Sequence, residues 1–299
     1  MPKGDKRTKK QHFIPQVYLR GFSPDYMDGN VENEKYHIYR YALNEKGLPY
    51  QYVPIKTICY KKDLYEVTGD DGNIVLPNHL EKIFSTFEKW FSEYRKKLER
   101  KASLPENLKT NCFLTSEEKV FWVTYIIVQI LRTPQILGLA EEVGAEIWQD
   151  RVNDKQLKNI ARLYCLPFFK ELKEGDKDAA VFDALFEPMR EMSFAIGVDP
   201  DGKLITSDKA VYIYSTEFPC AEYGKVIFPI TSKLCLYMFG GDEKKNVRKN
   251  FLFLINAGHR EEIIKSISAS ALENIYTNHI LDKTERKYIK EIIQDRKER

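Results

Sequence analysis

The stretch LTSEEKVFWVTYIIVQILRTP, residues 114–134, predicts the element around which the rest of the chain packs. Thr115 and Glu118 have the spacing of a capping box, in which each side chain bonds the backbone N–H of the other residue, so a helix begins here. The following residues are apolar almost all round the helix, which is typical of a buried helix. Pro134 disfavours helical geometry at Thr133 and ends it. A buried helical centre is therefore predicted.

A second helix precedes it in LEKIFSTFEKWFSEYRKKL, residues 80–98, where apolar residues recur every three or four positions. This spacing gives one aromatic face that packs on a core. Further helices are predicted at about 135–150, 154–165, 177–190, 259–278 and 283–297. The longest apolar run, residues 120–131, is shorter than the roughly 18 residues that span a bilayer, so no membrane contact is expected.

Strands are predicted in two blocks, at about 36–67 and 192–255, where short aromatic and β-branched runs are separated by turn residues. Within the second block, SFAIGV, DPDG and KLITSD predict a hairpin. The fold class is thus α+β, with a buried helical centre, two blocks of antiparallel strands and C-terminal helices. Residues 1–10 are expected to form a disordered basic tail, and 11–299 a single domain that would subdivide, if at all, near 175–190.

Composition and charge exclude several classes of protein. The chain has 47 Lys and Arg against 44 Asp and Glu, and the formal net charge of +3 gives no domain-wide field of the kind that alone implies nucleic-acid binding. The basic N-terminus has no hydrophobic stretch behind it, so we expect no secretory signal and a cytoplasmic protein. No CxxC pair occurs, which favours reduced thiols over a disulfide framework or a zinc site. The cysteines are Cys59, Cys112, Cys165, Cys220 and Cys235.

The segment KKQHFIPQVYLRGFS, residues 9–23, is too short and too broken by proline to form a long helix or strand. Pro15 forces Ile14 out of helical geometry, so an extended arm is predicted before it and a single helical turn after it. The apolar residues of this arm would anchor it to a core. Its polar residues would then be free to enter a cleft.

Three polar residues of the arm are candidates for a site. His12 is a candidate catalytic acid or base, and Gln16 and Arg20 are candidates for substrate binding. The structural alternative is that His12 makes one hydrogen bond and Arg20 one salt bridge.

The arm also resembles a known family. HFIPQVYLRGF, residues 12–22, is similar to the N-terminal signature of DUF4238, a mainly prokaryotic family of uncharacterised domains. Later segments of this chain also resemble the family. They are LEKIFSTFE at 80–88, RTP at 132–134, ITSDKAV at 205–211 and FPIT at 228–231. The resemblance therefore spans nearly the whole chain. The family more often has Asn-Pro where this chain has Lys209 and Ala210, so the turn after Asp208 is expected to differ. The resemblance indicates which residues are important, but no activity can be inferred from it.

Arg132 ends the apolar helix, and a buried guanidinium needs a partner because an unpaired charge in a core costs several kcal/mol. Glu81 and Glu88 are two turns apart on one side of their helix, so one of them is expected to pair with Arg132. A structural ion pair is one interpretation, and an anion-binding arginine is the other. Glu88 is a candidate catalytic residue, and Glu81 and Arg132 are candidates for substrate binding.

Ser207 and Asp208 lie at the end of a predicted strand, where side chains can enter a cleft. Asp208 is a candidate general base or metal ligand, with an Asx-turn acceptor as the structural alternative, and Ser207 is a candidate for substrate binding. GxSxG, P-loop, GxGxxG, HExxH and clustered Cys/His motifs are absent, so a divalent metal stays open as a cofactor without a motif to hold it. The remaining histidines are interpreted as surface or capping residues; they are His37, His79, His259 and His279.

Aromatic and basic residues interleave in YHIYRYAL, residues 36–43, and in YKKDLYEV, residues 60–67. Proteins that bind single-stranded nucleic acid have this composition, although the preference of tyrosine for strands explains the composition equally well.

Two functions are compatible with these residues. The first is a prokaryotic nuclease-like effector, acting in phage defence, that hydrolyses nucleic-acid phosphodiesters. In it, His12 and Asp208 share a cleft with Arg132 at its floor, and Asp208 favours the protonated form of His12. The second is a non-enzymatic sensor or binding protein for a small anionic ligand or a protein partner. An oligomer is compatible with either.

Overall fold

The structure is a computed structural model that describes residues 7–28, 35–109, 113–148, 151–164, 180–215, 223–241 and 250–298. Its helices are α1 (Gln16–Leu19), α2 (His79–Ala102), α3 (Ser116–Leu131), α4 (Pro134–Trp148), α5 (Asp154–Tyr164), α6 (Ala180–Arg190), α7 (Ala257–Ser270) and α8 (Lys283–Glu298). Its strands are β1 (Lys10–His12), β2 (His37–Ala42), β3 (Tyr50–Pro54), β4 (Tyr60–Lys62), β5 (Ser193–Val198), β6 (Thr206–Ser207), β7 (Tyr212–Ser215), β8 (Tyr223–Pro229), β9 (Leu234–Phe239), β10 (Phe251–Leu254) and β11 (Asn274–Thr277).

The central helix α3 begins at the predicted capping box. The Glu118 N–H donates to Thr115 Oγ1 at 3.2 Å, and the Thr115 N–H donates to Glu118 Oε2 at 2.8 Å. Trp122, Ile126 and most other residues of α3 are buried, so the prediction of a buried helical centre is confirmed. Of the helices described, none is by itself long and apolar enough to cross a membrane, and α3 passes that test only together with α4, from which it is bent by 68°.

A five-stranded sheet lies between two cores, in the order β10-β5-β9-β8-β7. Side chains on one face, such as Phe194 and Phe228, pack with residues of α2 and α3. Side chains on the other face, such as Ala195 and Tyr237, pack with α7 and α8. Because both faces are covered, β5 and β9 are buried along almost their whole length. This arrangement confirms the α+β class.

Three strand predictions need correction. The predicted helix 259–278 ends at Ser270, and β11 follows it as an inner strand of a second sheet, ordered β3-β2-β11-β6. The predicted hairpin of β5 with β6 does not form, because β5 pairs with β9 and β10 while β6 pairs with β11. The second block is also not wholly antiparallel, since β10 runs parallel to β5. In each case pairing with a distant strand outweighed the local pattern.

The predicted tail, residues 1–10, overlaps the folded part of the chain. The Thr8 N–H donates to Asn78 Oδ1 at 2.8 Å, and Lys10 begins β1 opposite Lys62 of β4. Residues 1–6 lie outside the described ranges, as does part of the suggested boundary near 175–190. Thr8 and Lys10 are therefore ordered against the rest of the chain, and Lys10 belongs to a two-stranded ladder.

The cysteines that the structure describes agree with the expectation of reduced thiols. Cys59 and Cys235 are free and buried. Cys112, Cys165 and Cys220 lie outside the described residues.

Candidate functional site

The N-terminal arm forms one wall of a cavity. Its extended part is β1, in which His12 lies opposite Tyr60 of β4. Pro15 then precedes α1, whose inner residue Tyr18 is fully buried. Because the apolar residues of this turn face the core, Arg20 at the end of the turn is left at the cavity. The predicted extended arm and helical turn are both present.

Helix α2 forms the opposite wall. Glu81, Glu88 and Ser92 recur at intervals of seven and four residues, which places them in one stripe along the helix. Phe84 and Phe91, also seven residues apart, form a separate stripe that is fully buried. The amphipathic pattern of α2 therefore turns two carboxylates toward the arm.

Arg132 lies at the floor between these walls and is only 1 % exposed. Its Nη1 lies 3.3 Å from Glu88 Oε1, and its Nη2 donates to the backbone carbonyl of His12. The guanidinium lies over the ring of Phe84 at 4.2 Å, and the Tyr65 hydroxyl donates to the Arg132 carbonyl at 2.6 Å. The prediction that Arg132 is buried and paired with one of the two glutamates is confirmed.

These elements enclose a cavity of about 770 Å³. Six of the eight predicted site residues line it: His12, Gln16, Arg20, Glu81, Glu88 and Arg132. The other lining residues are Thr8, Lys10, Val17, Lys56, Thr57, Lys89 and Ser92. Segments separated by more than a hundred residues in the chain thus meet at one polar cavity.

Positive charge dominates the cavity. Its five cationic side chains are Lys10, Arg20, Lys56, Lys89 and Arg132, and they face two carboxylates, Glu81 and Glu88. In a partly enclosed cavity such charges interact more strongly than they would in bulk water, because the local dielectric constant is lower. The cavity is therefore suited to an anion.

Several buried polar atoms at this cavity have no hydrogen-bond partner in the part of the chain that the structure describes. They are His12 Nε2, Arg20 Nε, Glu81 Oε1 and Arg132 Nε. Buried polar groups in folded proteins are nearly always hydrogen-bonded, so a cluster of unpaired ones at a cavity needs an explanation. Donors and acceptors gathered around an open volume indicate a site for a polar ligand.

The electrostatic environment moves the pKa values of two lining residues in opposite directions. Burial lowers the pKa of His12 to about 4, and the charges of Arg132 and Lys10 act in the same direction. Burial raises the pKa of Glu81 to about 7, assisted by Glu88 and opposed by Arg132. The expectation that Asp208 favours the protonated form of His12 is therefore corrected, because burial and the nearby cations favour the neutral ring.

Ser207 and Asp208 do not line the cavity, so the predicted grouping of Asp208 with His12 is also corrected. Asp208 is 4 % exposed, and it accepts the backbone N–H groups of Leu272, Glu273 and Asn274 at 2.7–2.9 Å. Ser207 Oγ donates to the Lys209 carbonyl at 2.8 Å. The strand end packs against the turn between α7 and β11, which gives Asp208 a structural role.

Replacing Asp208 by alanine is expected to lower the free energy of unfolding by at least about 1–3 kcal/mol, because buried backbone N–H groups lose their acceptor. Urea unfolding followed by circular dichroism would measure this. Ligand binding at the cavity should be unchanged in the folded variant. A loss of binding without a loss of stability would show that Asp208 takes part in ligand binding at the cavity.

Seven lining residues were not predicted, among them Lys10, Lys56 and Ser92. Lys10 was assigned to the tail, although it lies next to the motif that contains His12. Lys56 follows β3 in a short helical turn (Ile55–Thr57), and no local pattern marks it as a site residue. Ser92 continues the stripe of Glu81 and Glu88, so its spacing could have identified it.

Within the described ranges, no group of three or more His, Cys, Asp or Glu side chains is placed to hold a metal ion.

Comparison with known families gives one match. The model of a family described as a protein of unknown function (DUF4238) matches residues 10–279. Comparisons with curated proteins and with solved structures found no match.

Proposed function

Given that the chain belongs to the DUF4238 family, whose description states no function, we propose that its cavity cleaves phosphodiester bonds of nucleic acid. The observation that carries the proposal is the cluster of unpartnered polar atoms, which includes His12 Nε2, Glu81 Oε1 and Arg132 Nε. A proton acceptor, a proton donor and a fixed cation are the groups that phosphodiester cleavage requires.

The protonation states assign the roles. Between pH 4 and 7, His12 is deprotonated and Glu81 is protonated, given their pKa values of about 4 and about 7. The backbone of Lys56 hydrogen-bonds the His12 ring, and because Nε2 has no partner this bond falls on Nδ1. His12 Nε2 is then the ring nitrogen that carries a lone pair, and Glu81 carries a proton.

In the proposed reaction, His12 Nε2 takes the proton of the attacking hydroxyl group while its oxygen forms a bond to phosphorus. The phosphorus bond to the leaving oxygen breaks, and Glu81 gives its proton to that oxygen. Arg132 lies at the floor, where its unpartnered Nε–H can donate to a phosphate oxygen as negative charge develops. Water or a ribose 2′-hydroxyl supplies the attacking group, and matched RNA and DNA substrates distinguish the two.

The value of kcat/KM is expected to rise through about pH 4, as His12 loses its proton, and to fall through about pH 7, as Glu81 loses its own. Replacing Glu81 by glutamine should lower the rate by about 10²–10⁴-fold, the usual contribution of a general acid. Any residual activity of this variant should lack the fall near pH 7. Rates on labelled RNA, single-stranded DNA and duplex DNA, with and without a chelator, would measure these effects.

The matched control is Glu93→Gln, which changes an exposed carboxylate of α2 outside the cavity and should leave the profile unchanged. A rate that instead increases through pH 7 would contradict the assignment of Glu81 as the acid. No cleavage of any substrate by folded protein would overturn the proposal.

The excess of cations also supports a second candidate, a non-enzymatic sensor of a small anion. Under this proposal the cavity binds inorganic phosphate or a nucleotide without turnover. Calorimetric titration with these anions distinguishes the two candidates, because a sensor would bind them tightly while every nucleic acid stays intact.

The setting that we propose for the nuclease is the prokaryotic cytoplasm, as an effector in phage defence. Expression in bacteria should arrest growth, and Glu81→Gln should relieve the arrest. Equal toxicity of both proteins would count against this setting.

A further inference from the structure

Aromatic rings cover one face of the β2–β3 hairpin, at the edge of the four-stranded sheet. We call this surface the aromatic face; its rings are those of His37, Tyr39, Tyr41, Tyr50 and Tyr52, which share a face because alternate residues of a strand point the same way. Tyr39 and Tyr52 are cross-strand partners with ring centroids 4.8 Å apart. His37 stacks on Tyr52 at 5.1 Å, and the edge of Tyr39 meets Tyr50 at 5.6 Å.

Two rings of this face are unusually exposed for their size. Tyr50 is 44 % exposed and Tyr52 is 46 % exposed. Tyr41 is fully buried in a core, and His37 and Tyr39 are half-buried. Strand propensity explains tyrosine at these positions, but it does not explain why Tyr50 and Tyr52 are left in solvent. Large aromatic side chains exposed together on one face indicate a binding surface.

Cations lie near both ends of strand β2. Near its first residue, the Arg20 guanidinium lies 5.5 Å from the ring of Tyr36, which precedes His37 and packs on the other core. At the other end, the Arg286 guanidinium lies 5.3 Å from the ring of Tyr41. Arg286 belongs to a groove on α8 that also contains Lys283, Lys287 and Lys290, together with Glu291 and Asp295. A polyanion lying along the face would therefore meet positive charge at its Arg286 end.

The aromatic face lies close to the cavity along the chain. Lys56 lines the cavity and follows Tyr52 by four residues, so the two lie within about 14 Å of each other. Arg20 lines the cavity as well, and its guanidinium contacts the ring of Tyr36, the residue before β2. The Asp25 carboxylate at this junction accepts the His37 N–H at 3.0 Å and the Tyr52 hydroxyl at 3.4 Å.

We propose that the aromatic face binds single-stranded nucleic acid, with bases stacked on its rings and phosphates on the flanking cations. Aromatic rings interleaved with basic residues bind single strands in this way, because every base offers a face for stacking. A duplex keeps its bases stacked on one another, so it cannot use the rings. The inference that the bound nucleic-acid strand leads toward the cavity rests on the proposed phosphodiester cleavage.

The test measures binding separately from cleavage. In a Glu81→Gln background, fluorescence anisotropy compares labelled single-stranded RNA, single-stranded DNA and duplex DNA of one sequence. The variant Tyr50→Ala/Tyr52→Ala is expected to bind single strands about ten-fold or more weakly for each ring removed. Tyr214→Ala is the matched control, because Tyr214 is 51 % exposed on β7 and lies outside the aromatic face. It should bind as the parent does.

A second measurement separates this proposal from the proposed function. With Glu81 intact, cleavage of a dinucleotide, which is too short to reach from the cavity across the rings, should be unchanged by Tyr50→Ala/Tyr52→Ala. Cleavage of a long single strand should fall. Loss of binding in the tyrosine variant without cleavage of any substrate would overturn the proposed reaction and support this surface.

Unchanged single-strand binding in the tyrosine variant would overturn the inference and leave the proposed reaction standing. Binding of duplex as tightly as single strands would also overturn it. The other possible occupant of the aromatic face is a second copy of the chain, and light scattering tests for it. A dimer that becomes monomeric in the tyrosine variant would show that the face binds that copy. Thermal unfolding confirms that each variant is folded.

Discussion

Removing residues 1–23 is expected to leave a chain that does not fold, whereas removing residues 1–6 should hardly change the midpoint of thermal unfolding. Ile14, Tyr18, Leu19 and Phe22 are fully buried in the main core. Burying each such side chain contributes about 1.5–3 kcal/mol. Their combined loss is comparable with the whole stability of a typical domain, about 5–15 kcal/mol.

The contacts of the arm reinforce this expectation. The Tyr18 hydroxyl donates to the Pro229 carbonyl at 2.7 Å and lies 2.7 Å from Thr206 Oγ1. The Ser232 N–H donates to the Gly21 carbonyl at 2.9 Å, and a Cβ on Gly21 would lie 3.0 Å from the Thr231 side chain. The arm is thus an integral part of the core.

A milder variant keeps this prediction testable if the truncated chain cannot be purified. Tyr18→Phe removes only the hydroxyl and should lower the free energy of unfolding by about 1–3 kcal/mol, because the Pro229 carbonyl is left without that donor. Circular dichroism during thermal unfolding would compare the two truncations with the parent. Equal behaviour of both truncations would show that the arm does not anchor the fold.

Under the proposed reaction, replacing Arg132 by methionine is expected to lower cleavage by about 10²–10³-fold, the usual effect of removing one donor to a developing charge. The protein should stay folded, because methionine fills a similar volume on Phe84 and the freed Glu88 is partly exposed to water. The pKa of His12 should also rise from about 4, since the charge of Arg132 helps to lower it. Steady-state kinetics and an NMR titration of His12 measure the two effects.

Arg95→Met is the matched control for this experiment. Arg95 is also buried on α2, where it donates to the Val17 carbonyl at 2.8 Å and lies over the ring of Tyr26, but it does not line the cavity. Its replacement should reduce stability while cleavage continues. Full activity in Arg132→Met would show that Arg132 serves the fold alone.

Six of the thirteen residues that line the cavity were predicted from the sequence, because such residues break local rules. His12 stands in an arm that Pro15 keeps extended, Arg132 ends an apolar helix, and Glu81 and Glu88 share one side of α2. Each is a polar group where packing alone gives little reason for one. Asp208 meets the same criterion but proved structural, because its three backbone donors come from a turn more than sixty residues later.

Local interactions suffice for the parts of this protein that the sequence by itself determined. The capping box, the periodicity of α2 and α3 and the break at Pro15 depend on residues a few positions apart, and all are present in the structure.

Tertiary structure alone decided which strands pair, since β11 becomes a strand only between β2 and β6. It also decided the protonation of the site. The pKa of His12 depends on burial and on Arg132, 120 residues away in the chain, and both arise only when the arm folds onto α2 and α3. Desolvation and Coulomb interactions act through space, so no spacing along the chain encodes them.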